Sequence, residues 1–238
     1  MTSAGCPAAD AKIRIGAITI GQSPRTDITD DLRPLLAPNI QLQEYGALDP
    51  YSYEEAAQKF APAPGDSVLV SRMRDGSQVT MSEQAVIPLV QECIYRAEQD
   101  GVQATVLLCT GKFPEFEHNR PLITPQPILH GLVQKLTGKK PIALFVPDQA
   151  QVTQVSHWFA KSQIRIFPVV ASPYCEAHQM GEKASGLADK DFSFALLDCM
   201  GYSKQMKQDI HSACGLPVLL PRTFIARLLN ELYGEEEL

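Results

Sequence analysis

The sequence predicts an α/β fold of parallel sheets covered by helices on both faces. Three observations predict it. Short apolar, β-rich runs alternate with helical patterns along the chain, as expected when parallel strands are joined by crossover helices. Those runs are too short to span a membrane. The 238 residues, 45% of them hydrophobic, suffice for one large domain or two lobes of about 100 residues each.

The elements follow in order. Residues 13–20 read as a buried strand ending at Gly21-Gln22-Ser23-Pro24-Arg25, with a helix over 26–36. Residues 40–45 form a second strand and 53–60 a short helix. A third strand over 67–71 runs into the polar turn Arg72-Met73-Arg74-Asp75-Gly76. Over 82–99, Ala85, Val86, Leu89, Val90, Cys93, Ile94 and Ala97 mark one face of a helix. Asp100-Gly101 closes it, glycine being favoured just past a helix end. A fourth strand covers 104–109, followed by a proline-rich passage and a helix over 129–136. The second half repeats the pattern, with strands over 142–146, 164–170, 192–199 and 217–220. Helices are expected from 148 to 161, over 176–187, after Gly201 to 213, and over 221–233. In such sheets ligands bind at the carboxyl ends of strands, in the loops entering the next helix.

Composition narrows the partners. Lys and Arg total 21 against 27 Asp and Glu, a net charge of −6, which disfavours nucleic-acid binding. None of the six cysteines forms a C-x-x-C pair, and Cys175 with His178 lacks a second ligand pair, so no metal is expected. Residues 1–12 lack an apolar signal segment and read as a flexible leader. The expected setting is the cytoplasm, with free thiols and no membrane partner; a homodimer stays open.

Four strand ends carry polar or reactive groups. At the first, Gly21 permits close backbone approach, Gln22 and Ser23 offer polar groups, and Arg25 offers a bidentate contact to a carboxylate. The plain alternative is a strand-to-helix turn capped by Ser23 or Thr26. The second and third match: Leu107-Leu108-Cys109-Thr110-Gly111 and Leu197-Asp198-Cys199-Met200-Gly201 are both apolar strands ending in Cys-x-Gly. A cysteine facing a helix N-terminus has its thiol pKa lowered, which yields a base or nucleophile. The alternative is a small buried hydrophobe. Two equivalent strand ends would meet across a cleft under two-fold pseudo-symmetry. At the fourth, Arg72, Asp75 and Ser77 are candidates for the same rim or for a solvated loop.

Over nearly the whole chain after residue 12 the sequence resembles the AroM family, itself similar to the aspartate/glutamate racemase superfamily. The resemblance rests on Ile18-Thr19-Ile20-Gly21-Gln22-Ser23-Pro24-Arg25, Gly65-Asp66, Leu69-Val70-Ser71-Arg72, Asp75-Gly76, Leu197 through Tyr202, Leu216 through Leu220, and Ile225 through Leu228. It implies two Rossmann-like lobes with parallel four-stranded sheets related by a pseudo-dyad, 13–124 plus 215–238 forming the first and 125–214 the second. It also implies an active site between the lobes, no cofactor, and a small carboxylate ligand. In the racemases two cysteines from opposite lobes remove and return a proton, which carries over to Cys109 and Cys199, with Thr110, Gly111, Met200, Gly201 and Tyr202 around them. Cys199 is followed by Met200 where the racemases have Thr. Two readings result: a cofactor-independent racemase or isomerase, including variants that use Cys199 as a nucleophile, and a non-catalytic binder of a small anion that relies on Arg25 and Arg72.

Overall fold

The computed structural model describes residues 12–235; the expectation for residues 1–12 therefore lies, Lys12 apart, outside the described residues. In chain order the elements are β1 (Ile13–Thr19), α1 (Thr26–Leu32), β2 (Ile40–Gly46), α2 (Tyr53–Lys59), β3 (Val68–Arg72), β4 (Gln78–Ser82), α3 (Glu83–Gln99), β5 (Ala104–Leu107), β6 (Leu122–Ile123), α4 (Pro125–Leu136), β7 (Ile142–Val146), α5 (Gln151–Lys161), β8 (Ile166–Val170), α6 (Met180–Ser185), β9 (Ala195–Leu197), α7 (Lys204–Cys214), β10 (Val218–Leu219) and α8 (Pro221–Tyr233). Among the described residues no helix is long and apolar enough to cross a membrane.

The strands form two parallel four-stranded sheets, ordered β2-β1-β5-β6 and β10-β9-β7-β8, plus an antiparallel hairpin of β3 and β4. The central strands are apolar on both faces because both are covered. On the first sheet, Val86, Val90, Ile94 and Ala97 of α3 pack with Ile18 and Leu107 on one side. Ile28 and Leu32 of α1 pack with Ile225 and Leu229 of α8 against Ile15, Ala17 and Val106 on the other. On the second sheet, Val155 and Phe159 of α5 meet Leu144 and Val146. Met180 and Ala184 of α6, with Met206 and Ile210 of α7, cover Phe145 and Leu197. The helical spacings of three and four supply these stripes.

Three departures from the sequence reading bear on the site. Residues 67–71 were expected as a third strand of the α/β alternation; β3 instead pairs antiparallel with β4, a strand the sequence reading lacks, with Val68 opposite Ser82 and Arg72 opposite Gln78. The edge of β3 is not left bare. The Val68 N–H donates to Gln154 Oε1 (3.1 Å) and its carbonyl accepts from Gln151 Nε2 (3.2 Å), both side chains on α5 beside the second sheet. The proline-rich passage hides β6, which pairs parallel with β5 through Thr105–Leu122 and Val106–Ile123. Finally, residues 215–238 were expected with the first lobe, but β10 pairs with β9 in the second sheet while α8 packs on the first.

Arg222, at the start of α8, is fully buried at 0% exposure. Its Nε donates to the Met200 carbonyl (3.0 Å), and its Nη1 donates to the Asp27 carbonyl (2.7 Å) and to Asp31 Oδ2 (2.9 Å). Asp31 also accepts the Lys204 N–H at the start of α7 (2.8 Å). This guanidinium thus holds the turn after β9 onto α1. Removing one partner from a buried charged network leaves the others uncompensated. Arg222→Met should therefore lower unfolding free energy by about 3 kcal/mol in urea denaturation; a loss indistinguishable from zero would show that the clamp does not hold the turn.

Candidate functional site

The two Cys-x-Gly turns are built alike. Cys109 Sγ accepts the Gly111 N–H at 3.3 Å, and Cys199 Sγ accepts the Gly201 N–H at 3.3 Å. Each sulfur is folded back over its own turn at the carboxyl end of a central strand. Both thiols line one cavity of about 30 Å³, together with Thr110, Gly111 and Asp198. Its wall is completed by Leu69 and Val70 from β3 and by Gln151, Gln154 and Trp158 from α5. That volume holds about two waters, so a ligand has to widen it on entry. A larger cavity of about 480 Å³ adjoins, sharing Cys109 and Gly111 and lined by Lys112, Phe113 and Phe116.

Burial, not a helix terminus, sets the resting state of the thiols. The next helix after Cys109 is α4, which begins at Pro125, and α7 begins at Lys204 with its first N–H taken by Asp31. The pKa-lowering helix N-terminus expected from sequence is therefore missing from both turns. Burial pushes the Cys109 thiol up to about 12, with the Gly111 N–H pulling weakly the other way. It pushes Cys199 up as well, against the Gly201 N–H, Tyr174 and Arg25. Asp198 is pushed up to about 7 by burial, opposed by the Thr110 hydroxyl. A carboxyl that titrates near neutrality beside two thiols is suited to move a proton.

The other sequence candidates have mostly internal employment. Gly21 abuts the hairpin: a Cβ there would collide with the Arg72 carbonyl oxygen, so its close approach is to the chain. Gln22 Nε2 donates to the Tyr51 carbonyl (2.8 Å) while its Oε1 accepts the Arg74 N–H (2.8 Å). The Ser23 hydroxyl and N–H both donate to Asp49, each at 2.7 Å. The Arg25 N–H donates to Glu44 Oε2 at 2.6 Å, so a carboxylate of the chain already sits where an anion was expected before α1. Neither Ser23 nor Thr26 caps α1 through its side chain.

Arg25, 2% exposed, has all five donors engaged. Nε and Nη2 form a two-pronged pair with Asp27, both at 2.8 Å; Nη1 reaches Thr19 and Ser71 at 3.1 Å; Nη2 also reaches Tyr174 at 3.3 Å. Burial alone would lower its pKa, but Tyr174 and Asp27 outweigh that and hold the charge more firmly than usual. Arg25 has no fork left for a ligand carboxylate, which corrects the sequence assignment.

Arg72 differs: its Nε donates to the Gly76 carbonyl (3.2 Å), it lies 3.9 Å from Asp27, and its side chain is 37% exposed. Asp75 closes the hairpin turn by accepting from the Ser77 N–H (2.8 Å) and hydroxyl (2.6 Å). Met200 packs into the first-sheet core, and Tyr202 is fully buried with its hydroxyl on the Ala171 carbonyl (2.7 Å), so both anchor the Cys199 turn. Among the described residues no group of three or more His, Cys, Asp or Glu side chains is placed to hold a metal ion. Sequence reasoning missed Asp198, Tyr174, Arg222 and Gln151, whose buried Oε1 has no partner among the described residues.

The AroM family model, described as AroM protein, matches residues 15–233. The chain belongs to the AroM family. No curated protein matches it in sequence. Solved structures match it in fold. Maleate isomerase Iso from Pseudomonas putida S16 aligns with a TM-score of 0.60 at 14% identity, covering 93% of each chain. Allantoin racemase from Klebsiella pneumoniae aligns at 0.59 and 13% identity, covering 94% of this chain and 89% of that one. The Picrophilus torridus aspartate racemase aligns at 0.56 and 12%, covering 92% and 94%. The AroM chain thus has the α/β fold of the aspartate/glutamate racemase superfamily, with two parallel four-stranded sheets.

Asp198 makes a stability prediction for this AroM chain. Its folded pKa of about 7 lies above the ordinary carboxyl value, so the folded state binds more protons than the unfolded one between about pH 4 and 7. The contribution of this group is fully present below that window and is lost as pH rises through it. Asp198→Asn has no proton to lose. Its melting temperature relative to wild type should be several degrees more favourable at pH 8 than at pH 5; an equal difference at both would sink the buried-carboxyl assignment.

Proposed function

We propose that this AroM-family protein is a cofactor-independent racemase or isomerase of a small carboxylate, acting in the cytoplasm through Cys109 and Cys199. The observation that carries the reading is the shared cavity. Two thiols from equivalent turns of two sheets line one small space, with a carboxyl of near-neutral pKa between their strand ends. Two-base proton transfer needs an acid and a base on opposite sides of one carbon.

The Asp198 carboxylate takes the proton of the Cys199 thiol and becomes the neutral acid. The Cys199 thiolate then abstracts the proton on the carbon next to the substrate carboxylate. The Cys109 thiol gives its proton to the opposite face and is left as the thiolate, which Asp198 reprotonates. For the reverse direction the sulfurs exchange roles. Arg72, which keeps donors to spare, is the group proposed to hold the substrate's negative charge, while the Thr110 hydroxyl donates to Asp198. The fold likeness to proteins named as racemases and an isomerase supports the class of reaction.

A second reading is favoured by one observation: both thiols rest protonated, as in a site that binds without reacting. In that case the cleft holds a small anion, and Cys199→Ser leaves its affinity nearly intact.

Incubation in heavy water with a panel of amino acids, hydantoins and small diacids separates the two. The enzyme reading predicts deuterium incorporation next to a carboxyl or carbonyl for at least one compound, reduced at least 100-fold in Cys199→Ser and in Cys109→Ser. It also predicts that the rate rises with pH through about 7, where Asp198 loses its proton, and that Asp198→Asn abolishes this rise. Absence of exchange across the panel would overturn it.

A further inference from the structure

One side chain approaches Cys199 without lining the cavity. Tyr174 lies in the loop after β8, and its hydroxyl is 3.7 Å from Cys199 Sγ. Arg25, from the loop between β1 and α1 of the first sheet, brings Nη2 to 3.3 Å from the same hydroxyl, and its guanidinium carbon lies 5.7 Å from the tyrosine ring centroid. A Cβ on Gly201 would stand 2.5 Å from that hydroxyl, so glycine at this position makes room for it. The tyrosine loop is held from the hairpin as well. Ser172 Oγ accepts the Tyr174 N–H (3.2 Å) and donates to Gln78 Oε1 on β4 (2.6 Å).

The direction of these bonds follows from the proton inventory. A guanidinium has no acceptor, so Arg25 donates to the phenol oxygen. That leaves the phenol's one proton free for sulfur, and a thiolate, which has no proton of its own, can only accept it. We propose that Tyr174 is a positioning residue that relays the charge of Arg25, on the first-sheet side, to Cys199 on the second, so that the Cys199 thiolate forms only when the two sides are docked. A thiolate accepts such a bond more strongly than a thiol does, and Tyr174 keeps its own proton because burial holds its pKa well above the ordinary value.

Among the described residues Cys199 is also faced by the Gly201 N–H, which favours the thiolate, by the Asp198 carboxylate, which opposes it, and by Tyr202, whose proton burial holds in place. Cys109 lies in the same cavity, and Asp27, on the far side of Arg25, partly offsets its charge. The same relay explains why Arg25 is buried with every donor spent. The proposal rests on the reading of Cys199 as a proton carrier, but its test needs no turnover.

The test is site-resolved alkylation. Intact protein and Tyr174→Phe are treated with iodoacetamide from pH 6 to 10, and labelling of Cys199 and Cys109 is followed separately by peptide mass spectrometry. Thiolate absorbance near 240 nm, taken as the difference from Cys199→Ser, gives the same midpoint without requiring reagent entry. Tyr174→Phe should raise the Cys199 midpoint by about one pH unit, a roughly tenfold fall in rate at a pH below both midpoints. The Cys109 profile should stay where it is. Superimposable Cys199 profiles would overturn the relay, as would equal shifts at both cysteines, which report a general loosening. Failure of the heavy-water exchange with an intact shift at Cys199 would count against the reaction alone.

Discussion

The buried pairing of Arg25 with Asp27 is the constraint on which the candidate site depends. A guanidinium that is 2% exposed is tolerable only if its charge is paired and each of its donors is met. Here the partners come from three parts of the chain: Thr19 and Asp27 around the first turn, Ser71 on the hairpin, and Tyr174 beyond β8. Satisfying one side chain therefore fixes the positions of all three. Arg222 repeats the principle about one turn along α1, binding Asp31, the Asp27 carbonyl and the Met200 carbonyl. The Cys199 turn is thus clamped directly by Arg222 and reached by Arg25 through Tyr174, and the apolar packing of the helices supplies the frame they act within.

Much of the fold was legible because its signals are local. An unbroken apolar run marks β7, a run interrupted by Arg14 marks β1, and spacings of three and four mark α3 and α8. The recurrence of Cys-x-Gly after two such runs was visible, and the equivalent N–H to sulfur bonds of Gly111 and Gly201 are its structural counterpart. What escaped was short or non-local. β6 is two residues long and surrounded by proline. β4 alternates, with Val79 and Met81 inward, but over too few residues to separate it from the start of α3. Arg25 was visible as a cation at a strand end, yet its role was inverted, because its partners lie 46 and 149 positions away at Ser71 and Tyr174. Asp198 stood next to Cys199 in plain sight; its significance comes from burial, which sequence spacing does not encode.

Electrostatically the site is poised between opposing effects. Desolvation disfavours every charge in the cavity, which keeps both thiols protonated and lifts Asp198 toward neutrality. Opposing it are two glycine N–H groups, the Thr110 hydroxyl and the arginine held behind Tyr174. The cavity of about 30 Å³ at this point shares Cys109 and Gly111 with a wider one of about 480 Å³. The hairpin and α5, which wall the smaller cavity, are joined by hydrogen bonds from Val68 to the side chains of Gln151 and Gln154.

Two-base chemistry requires Cys109 and Cys199 to face one another across the single cavity they line. It is tested without knowing the substrate by a short bis-electrophile such as dibromobimane, which fluoresces only when both ends have reacted. One fluorescent cross-link is expected, between the peptides carrying Cys109 and Cys199, and it disappears when either residue is replaced by serine. Fluorescence that survives in either variant, or single alkylation of both thiols without any bridge, would contradict it.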